Sequence, residues 1–141
     1  MHATKNEILN HVLREYSRMA NIFSSNRRWN EMSENELWQE LCLCVLSSNV
    51  PYELAKSAFS HLMNMGYLRL EWITKTTNSQ KLIASELSKP IYLPRKLNGS
   101  HRKYRFPNAR SKNIYQAAKI VSSNEGGLSR LLANLDSGGL G

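Results

Sequence analysis

The chain has 141 residues, with 19 lysines and arginines against 11 aspartates and glutamates, giving a formal net charge of +8 and a pI of about 9.7. That length predicts one domain, 1–141, able to bury a core without disulfides or metal. No stretch approaches the roughly 18 uninterrupted apolar residues of a membrane span, and Met1 to Lys5 lacks the apolar run of a secretory signal, so an intracellular protein is expected: cytoplasmic or on the nucleoid, or nuclear in a eukaryote.

Ile8, Leu9, Val12, Leu13, Tyr16, Met19, Ala20 and Phe23 recur at three- and four-residue steps, which predicts a helix over Lys5 to Phe23. Ser24 to Met32 is polar and reads as a linker. Its Arg27 and Arg28 either touch phosphate or remain solvated surface.

Ser33 with Glu36 three residues on forms a capping box and opens the next helix. Leu37, Trp38, Leu41, Cys42, Leu43, Cys44, Val45 and Leu46 follow, apolar nearly all round, which predicts a buried helix that the rest of the domain wraps. Cys42 and Cys44 are two apart, point to different faces and cannot pair with each other. They are most simply small core residues. There is no CxxC pair and the four histidines (His2, His11, His61, His101) lack ligand spacing, so neither a metal nor a cofactor is expected. The helix must end near Asn49-Val50, because the residue before Pro51 is disfavoured in the α region. Ser47-Ser48-Asn49 is then a polar corner on a rigid frame, a useful place for a binding residue. An ordinary loop and helix cap would look the same.

Pro51 suits the first turn of a third helix. Leu54, Ala55, Ala58, Phe59 and Leu62 form its buried stripe, with Lys56, Ser57, Ser60 and His61 outward, and Gly66 is a C-cap. Met63 and Met65 read as gap-filling core. Two shorter helices are expected over Arg69 to Lys75, carrying Leu70, Trp72 and Ile73, and over Ser79 to Ser88, carrying Leu82, Ile83 and Leu87.

Pro90 and Pro94 then break regular structure in a basic loop, 89–107. Between Lys89 and Lys112 lie eight basic residues (Lys89, Arg95, Lys96, Arg102, Lys103, Arg105, Arg110, Lys112) and no acidic one. Removing these eight from the 19 leaves 11, equal to the 11 acidic residues, so this segment carries the whole excess charge. A localised basic segment on an otherwise neutral domain points to a polyanionic partner. Tyr92, Tyr104 and Phe106 are interleaved with the charges; such aromatics either stack on bases or anchor a long loop to the core. Asn98-Gly99-Ser100 is a turn signal.

Asn108 is expected to cap another helix, with Ile114, Ala117, Ala118 and Val121 on its apolar stripe and an end at Gly126-Gly127. Leu128 to Leu135 predicts one further short helix. No convincing period-2 run occurs, so the class is all-α, a bundle of about six to seven helices with no internal repeat.

Two of these stretches resemble one family. CLCVLSSN (Cys42 to Asn49) is similar to the second helix of the helix-hairpin-helix DNA glycosylases, the 8-oxoguanine glycosylase/AP-lyase branch in particular. YRFPNARSKNIYQAAKIVSSNEGGLSRLLANL (Tyr104 to Leu135) looks like the stretch preceding the hairpin in those enzymes, down to the step Gly126-Gly127-Leu128. Together the matches span about residues 33 to 135 in the family's order.

The resemblance implies a DNA repair protein that acts in base excision repair on double-stranded, lesion-containing DNA, as a monomer. Members extrude a nucleotide from the duplex to reach it, since chemistry on a stacked base is sterically closed. Asn49, with Ser48 beside it, matches the position that fills the space behind the flipped base and contacts its orphaned partner; an amide offers a base edge both donor and acceptor. Arg102, Lys103, Arg105, Arg110 and Lys112 would face phosphates. The family's nucleophilic lysine and partner aspartate lie further on than the residues present here, so the resemblance implies the recognition half of such an enzyme without its catalytic hairpin. Asp136 precedes that hairpin, and nothing in the sequence activates Lys119 as a nucleophile. A stand-alone helical nucleic-acid-binding module would share the basic segment without preferring lesions, and a protein-interaction domain would show little salt dependence. Incubated with borohydride and a lesion-containing duplex, the 141-residue chain is expected to form no trapped covalent adduct on a denaturing gel; an adduct would place the nucleophile within it.

Overall fold

A computed structural model describes residues 33–124 and 126–130. The expected helix over Lys5 to Phe23, the linker with Arg27 and Arg28, Asp136 and most of the expected helix over Leu128 to Leu135 lie outside the described residues. Five helices are numbered here in chain order: α1 (Glu34–Ser47), α2 (Tyr52–Met65), α3 (Leu70–Lys75), α4 (Ser79–Leu87) and α5 (Pro107–Ser123). The described residues are all-α, with no strand and one isolated antiparallel bridge, Tyr92 with Arg102.

α1 starts as its sequence dictates. Glu36 N–H donates to Ser33 Oγ at 3.1 Å and Ser33 N–H to Glu36 Oε1 at 3.2 Å, completing the capping box, a device worth about 1 kcal/mol. Leu37, Trp38, Leu41, Cys42, Val45 and Leu46 are buried as one broad stripe, while Leu43 and Cys44 are only half-buried. The helix is therefore two-faced, not apolar all round. The Trp38 indole donates to Leu68 O at 2.6 Å, which satisfies its polar edge and ties α1 to the α2–α3 turn.

α2 packs on α1 through Leu54, Ala55, Ala58 and Leu62. It closes in a Schellman motif, with Tyr67 N–H on Leu62 O and Gly66 N–H on Met63 O, each at 3.0 Å, around a left-handed Gly66. Met63 packs against the core, whereas Met65 is 39 % exposed and fills no gap. His61 is not simply outward: its Nε2 lies 2.9 Å from Glu86 Oε1 on α4. Tyr67 stacks on Trp72 of α3 with centroids 4.1 Å apart, and buried Ser79 Oγ, at the start of α4, donates to Ile73 O at 2.6 Å.

α5 lies against α4, α3 and α1. It begins at Pro107, one residue before the expected Asn108 cap, because proline's fixed φ and missing N–H fit a first helical turn. Its stripe is the expected Ile114, Ala117, Ala118 and Val121, joined by Ile120, Ser111 and Arg110. After Asn124 the chain turns through Gly126 (φ 87°) and Gly127 (φ 68°), and residues 127–130 are again helical. Glu34 supplies the cap for this turn from across the fold. Its carboxylate accepts Leu128 N–H at 2.8 Å and Ser129 N–H at 2.9 Å. The positive φ of Gly127 calls for glycine, and a Cβ there would meet Glu34 Oε2 at 2.5 Å and so push that carboxylate off its cap. No helix among the described residues is long and apolar enough to cross a membrane.

Two carboxylates tie stability to acid pH. Burial pushes Glu34 upward, but hydrogen bonds from Ser129 and Leu128 outweigh it and leave its pKa below the ordinary 4.5. Glu86 is lowered in the same way, with burial opposed by Lys89 and His61. Both bind protons less readily folded than unfolded, so their contribution is present above the ordinary carboxylate value and is lost as pH falls through their folded values. Urea midpoints are expected to decline below about pH 4.5, less steeply in Glu34→Gln. Gly127→Ala is expected to cost about 2 kcal/mol at neutral pH, from left-handed strain and a displaced Glu34.

Candidate nucleic-acid interface

The end of a helix leaves its last carbonyls without intrahelical partners. At the end of α1 each of them is accounted for. Cys44 O accepts Ser47 Oγ at 3.2 Å and Val45 O accepts Ser48 N–H at 3.5 Å. Leu46 O accepts the Tyr104 hydroxyl at 2.6 Å, and Ser47 O accepts Val50 N–H at 3.3 Å. Ser48 O accepts Arg110 Nη2 at 2.8 Å. Two of these donors come from the basic segment and the first turn of α5, about 60 residues along the chain. The helix ends at Ser47, slightly earlier than Asn49-Val50, since Ser48 is extended (φ −67°, ψ 118°).

Asn49 is carried on this clamped corner. Its φ of 57° is left-handed, a conformation that asparagine tolerates better than most side chains, and it is exposed. Ser48 is half-buried behind it. Tyr52, at the start of α2 and 58 % exposed, is an aromatic neighbour in sequence that the periodicity of α2 did not single out.

The basic residues divide by environment. Lys103, Arg105 and Lys112 are exposed. Arg102 is half-buried, with Nε donating to Pro94 O at 2.8 Å. Arg110, expected to face phosphate, lies inward: it is 8 % exposed, its guanidinium lies 4.8 Å from the Phe106 ring centroid, and its buried Nε has no hydrogen-bond partner among the described residues. A buried guanidinium held by a carbonyl and a ring face positions the corner; it does not reach outward. The two uses open to the aromatics also separate. Tyr92 and Tyr104 are 1 % and 3 % exposed, and Phe106 packs against the core, so they anchor the segment and leave its cations outside. The Tyr92 hydroxyl donates to Glu86 O, and its pKa is raised by burial and by the Glu86 charge.

The electrostatics point one way. No acidic residue lies between Glu86 and Glu125. The first turn of α5 has no acidic residue and no side-chain cap, so its dipole adds positive potential near the corner. Lys119 is exposed, with Nζ 5.4 Å from the Tyr115 ring centroid. Burial and the nearby Glu40 push Cys44 up to about 11, and burial pushes Cys42 well up, which disfavours both thiolates. No group of three or more His, Cys, Asp or Glu that could hold a metal occurs among the described residues.

No family model, curated protein or solved structure matches this chain. The described residues form an all-α frame that carries a braced polar corner and a basic segment with exposed cations.

The brace makes a direct prediction. Tyr104→Phe keeps the packing and removes the donor to Leu46 O, so a loss of about 1–3 kcal/mol in denaturant unfolding is expected, the cost of a buried acceptor left unpaired. An unchanged midpoint would show that the corner is held by other means.

Proposed function

We propose that this chain binds double-stranded DNA and recognises the space behind an extruded nucleotide, the recognition step of base excision repair in the helix-hairpin-helix glycosylases that it resembles. The observation that carries the reading is the coupling of Asn49 to the basic segment. Tyr104 and Arg110 hold the corner through Leu46 O and Ser48 O, and the exposed Lys103, Arg105 and Lys112 alternate with those braces along the chain. Phosphate contacts by these cations place the duplex; an exposed amide on a rigid corner reads what is missing from it.

The left-handed backbone at Asn49 selects the test. Asn49→Ala would strain the turn, whereas Asn49→Gly keeps the backbone and removes only the amide. In competition between intact and abasic-site duplexes, the wild-type chain is expected to prefer the abasic site, and Asn49→Gly to lose about tenfold of that preference, the worth of one good base contact. Affinity for either duplex is expected to fall with a log-log salt slope of roughly −0.9 per phosphate contacted, unchanged by Asn49→Gly. Equal binding of both duplexes by the wild type would favour a lesion-blind nucleic-acid module instead.

A further inference from the structure

The turn between α4 and α5 brings together an amide and a backbone nitrogen that can react with it. The sequence has 14 asparagines, and Asn98 alone is followed by glycine. After every other asparagine the next residue carries a side chain that crowds its own backbone nitrogen; Gly99 carries none. Residues 95–100 are all exposed, and a Cβ on Gly99 (φ 86°) would meet nothing within 4 Å, so no packing encloses the pair.

Asn98 Oδ1 accepts Ser100 N–H at 3.0 Å and the Ser100 hydroxyl at 2.6 Å. By reaching two residues on, the side chain folds back over the Asn98–Gly99 peptide, whose nitrogen is the attacking atom. The two Ser100 donors meet the oxygen on which negative charge gathers when that nitrogen adds to Cγ. Arg95 Nη1 donates to Gly99 O at 3.3 Å, and Lys96, His101 and Arg102 flank the pair in sequence with no acidic residue among them. Positive charge there favours loss of the Gly99 amide proton, which the attack requires. One contact opposes it: Gly99 N–H donates to Lys96 O at 2.9 Å. That bond has to open first, an opening of low cost in an exposed turn without buried side chains.

We propose that Asn98–Gly99 is a self-modification site, at which the chain deamidates and switches off part of its own positive charge. Gly99 N bonds to Asn98 Cγ as the Cγ–Nδ2 bond breaks, closing a five-membered imide. Nδ2 leaves as ammonia and carries away the proton given up by Gly99 N. Water, the co-reactant, then opens the imide at either carbonyl and leaves a carboxylate at position 98, as aspartate or isoaspartate. The formal net charge of +8 falls by one unit, inside a stretch that holds no acidic residue from Glu86 to Glu125. A polyanion held by that stretch is then held less tightly. This last consequence rests on the DNA-binding reading above; the chemistry of the site does not.

The test incubates the full chain at physiological temperature in neutral and in mildly alkaline buffer and follows its tryptic peptides by mass spectrometry. The peptide holding Asn98 is expected to gain the mass of an amide turned acid before any other asparagine peptide does, as a mixture of aspartate and isoaspartate, and faster at the higher pH. Asn98→Gln, which would have to close a six-membered ring, is expected to keep its mass. Ser100→Ala is expected to slow the conversion about threefold, the effect of one exposed hydrogen bond. A peptide that keeps its mass while other asparagines convert overturns the site, and an unchanged rate in Ser100→Ala overturns the part given to its hydroxyl. Separated by cation exchange, the converted chain is expected to bind abasic-site duplex with a log-log salt slope shallower by about 0.9, one phosphate contact fewer, and Asn98→Asp to behave alike. Equal slopes overturn the loss of binding and leave the site standing. A wild type that binds no duplex sinks the DNA-binding reading, and the mass result still decides the site.

Discussion

The architecture depends on how the end of α1 satisfies its carbonyls. A helix terminus inside a small domain cannot rely on water, and an unpaired buried carbonyl costs on the order of 1–3 kcal/mol. Here Leu46 O and Ser48 O are answered by Tyr104 and Arg110, residues on the far side of the basic segment. The requirement therefore does two things at once. It ends the central helix, and it draws a chain carrying most of the protein's excess charge to the place where Asn49 is exposed.

Holding so many cations against an apolar frame is possible because the segment alternates in role. Tyr92, Tyr104 and Phe106 turn inward while Lys103 and Arg105 remain outside. Arg110 is the costly member. A desolvated guanidinium is tolerated only where its environment compensates, and the Ser48 carbonyl and the Phe106 ring provide that. In this arrangement the Arg110 guanidinium faces the Ser48 carbonyl and the Phe106 ring, whereas Lys103, Arg105 and Lys112 are exposed. Stability of the corner and its exposure to a partner are thus served by different side chains of one segment, which makes them separable by mutation.

Much of this was legible locally. The Ser33–Glu36 box and the Gly66 cap each depend on residues within a few positions of one another, and each forms as its sequence suggests, while Pro51 stands at the N-cap, one residue before the first turn expected for it. The apolar stripes of α2 and α5 follow from periodicity alone. What sequence could not show was tertiary. Arg110 and Lys112 look alike as charges on one helix start, and only the distance to Ser48 O separates brace from surface. His61 reads as an outward histidine until α4 brings Glu86 to it, 25 residues on. The start of α5 came two residues early, with Phe106 rather than Asn108 in the capping position, because proline's geometry outranked asparagine's capping ability. Glu34 as the cap of the turn through Gly126 and Gly127, accepting from Leu128 N–H 94 residues away, had no local signal at all.

The central claim is that the corner and the segment that braces it form one DNA-facing surface. The most direct measurement is a backbone and side-chain amide NMR titration of the chain with an abasic-site duplex. The Asn49 side-chain amide, Ser48 and the first turn of α5 are expected to shift together. Shifts confined to α3 and α4, with Asn49 unmoved, would contradict it.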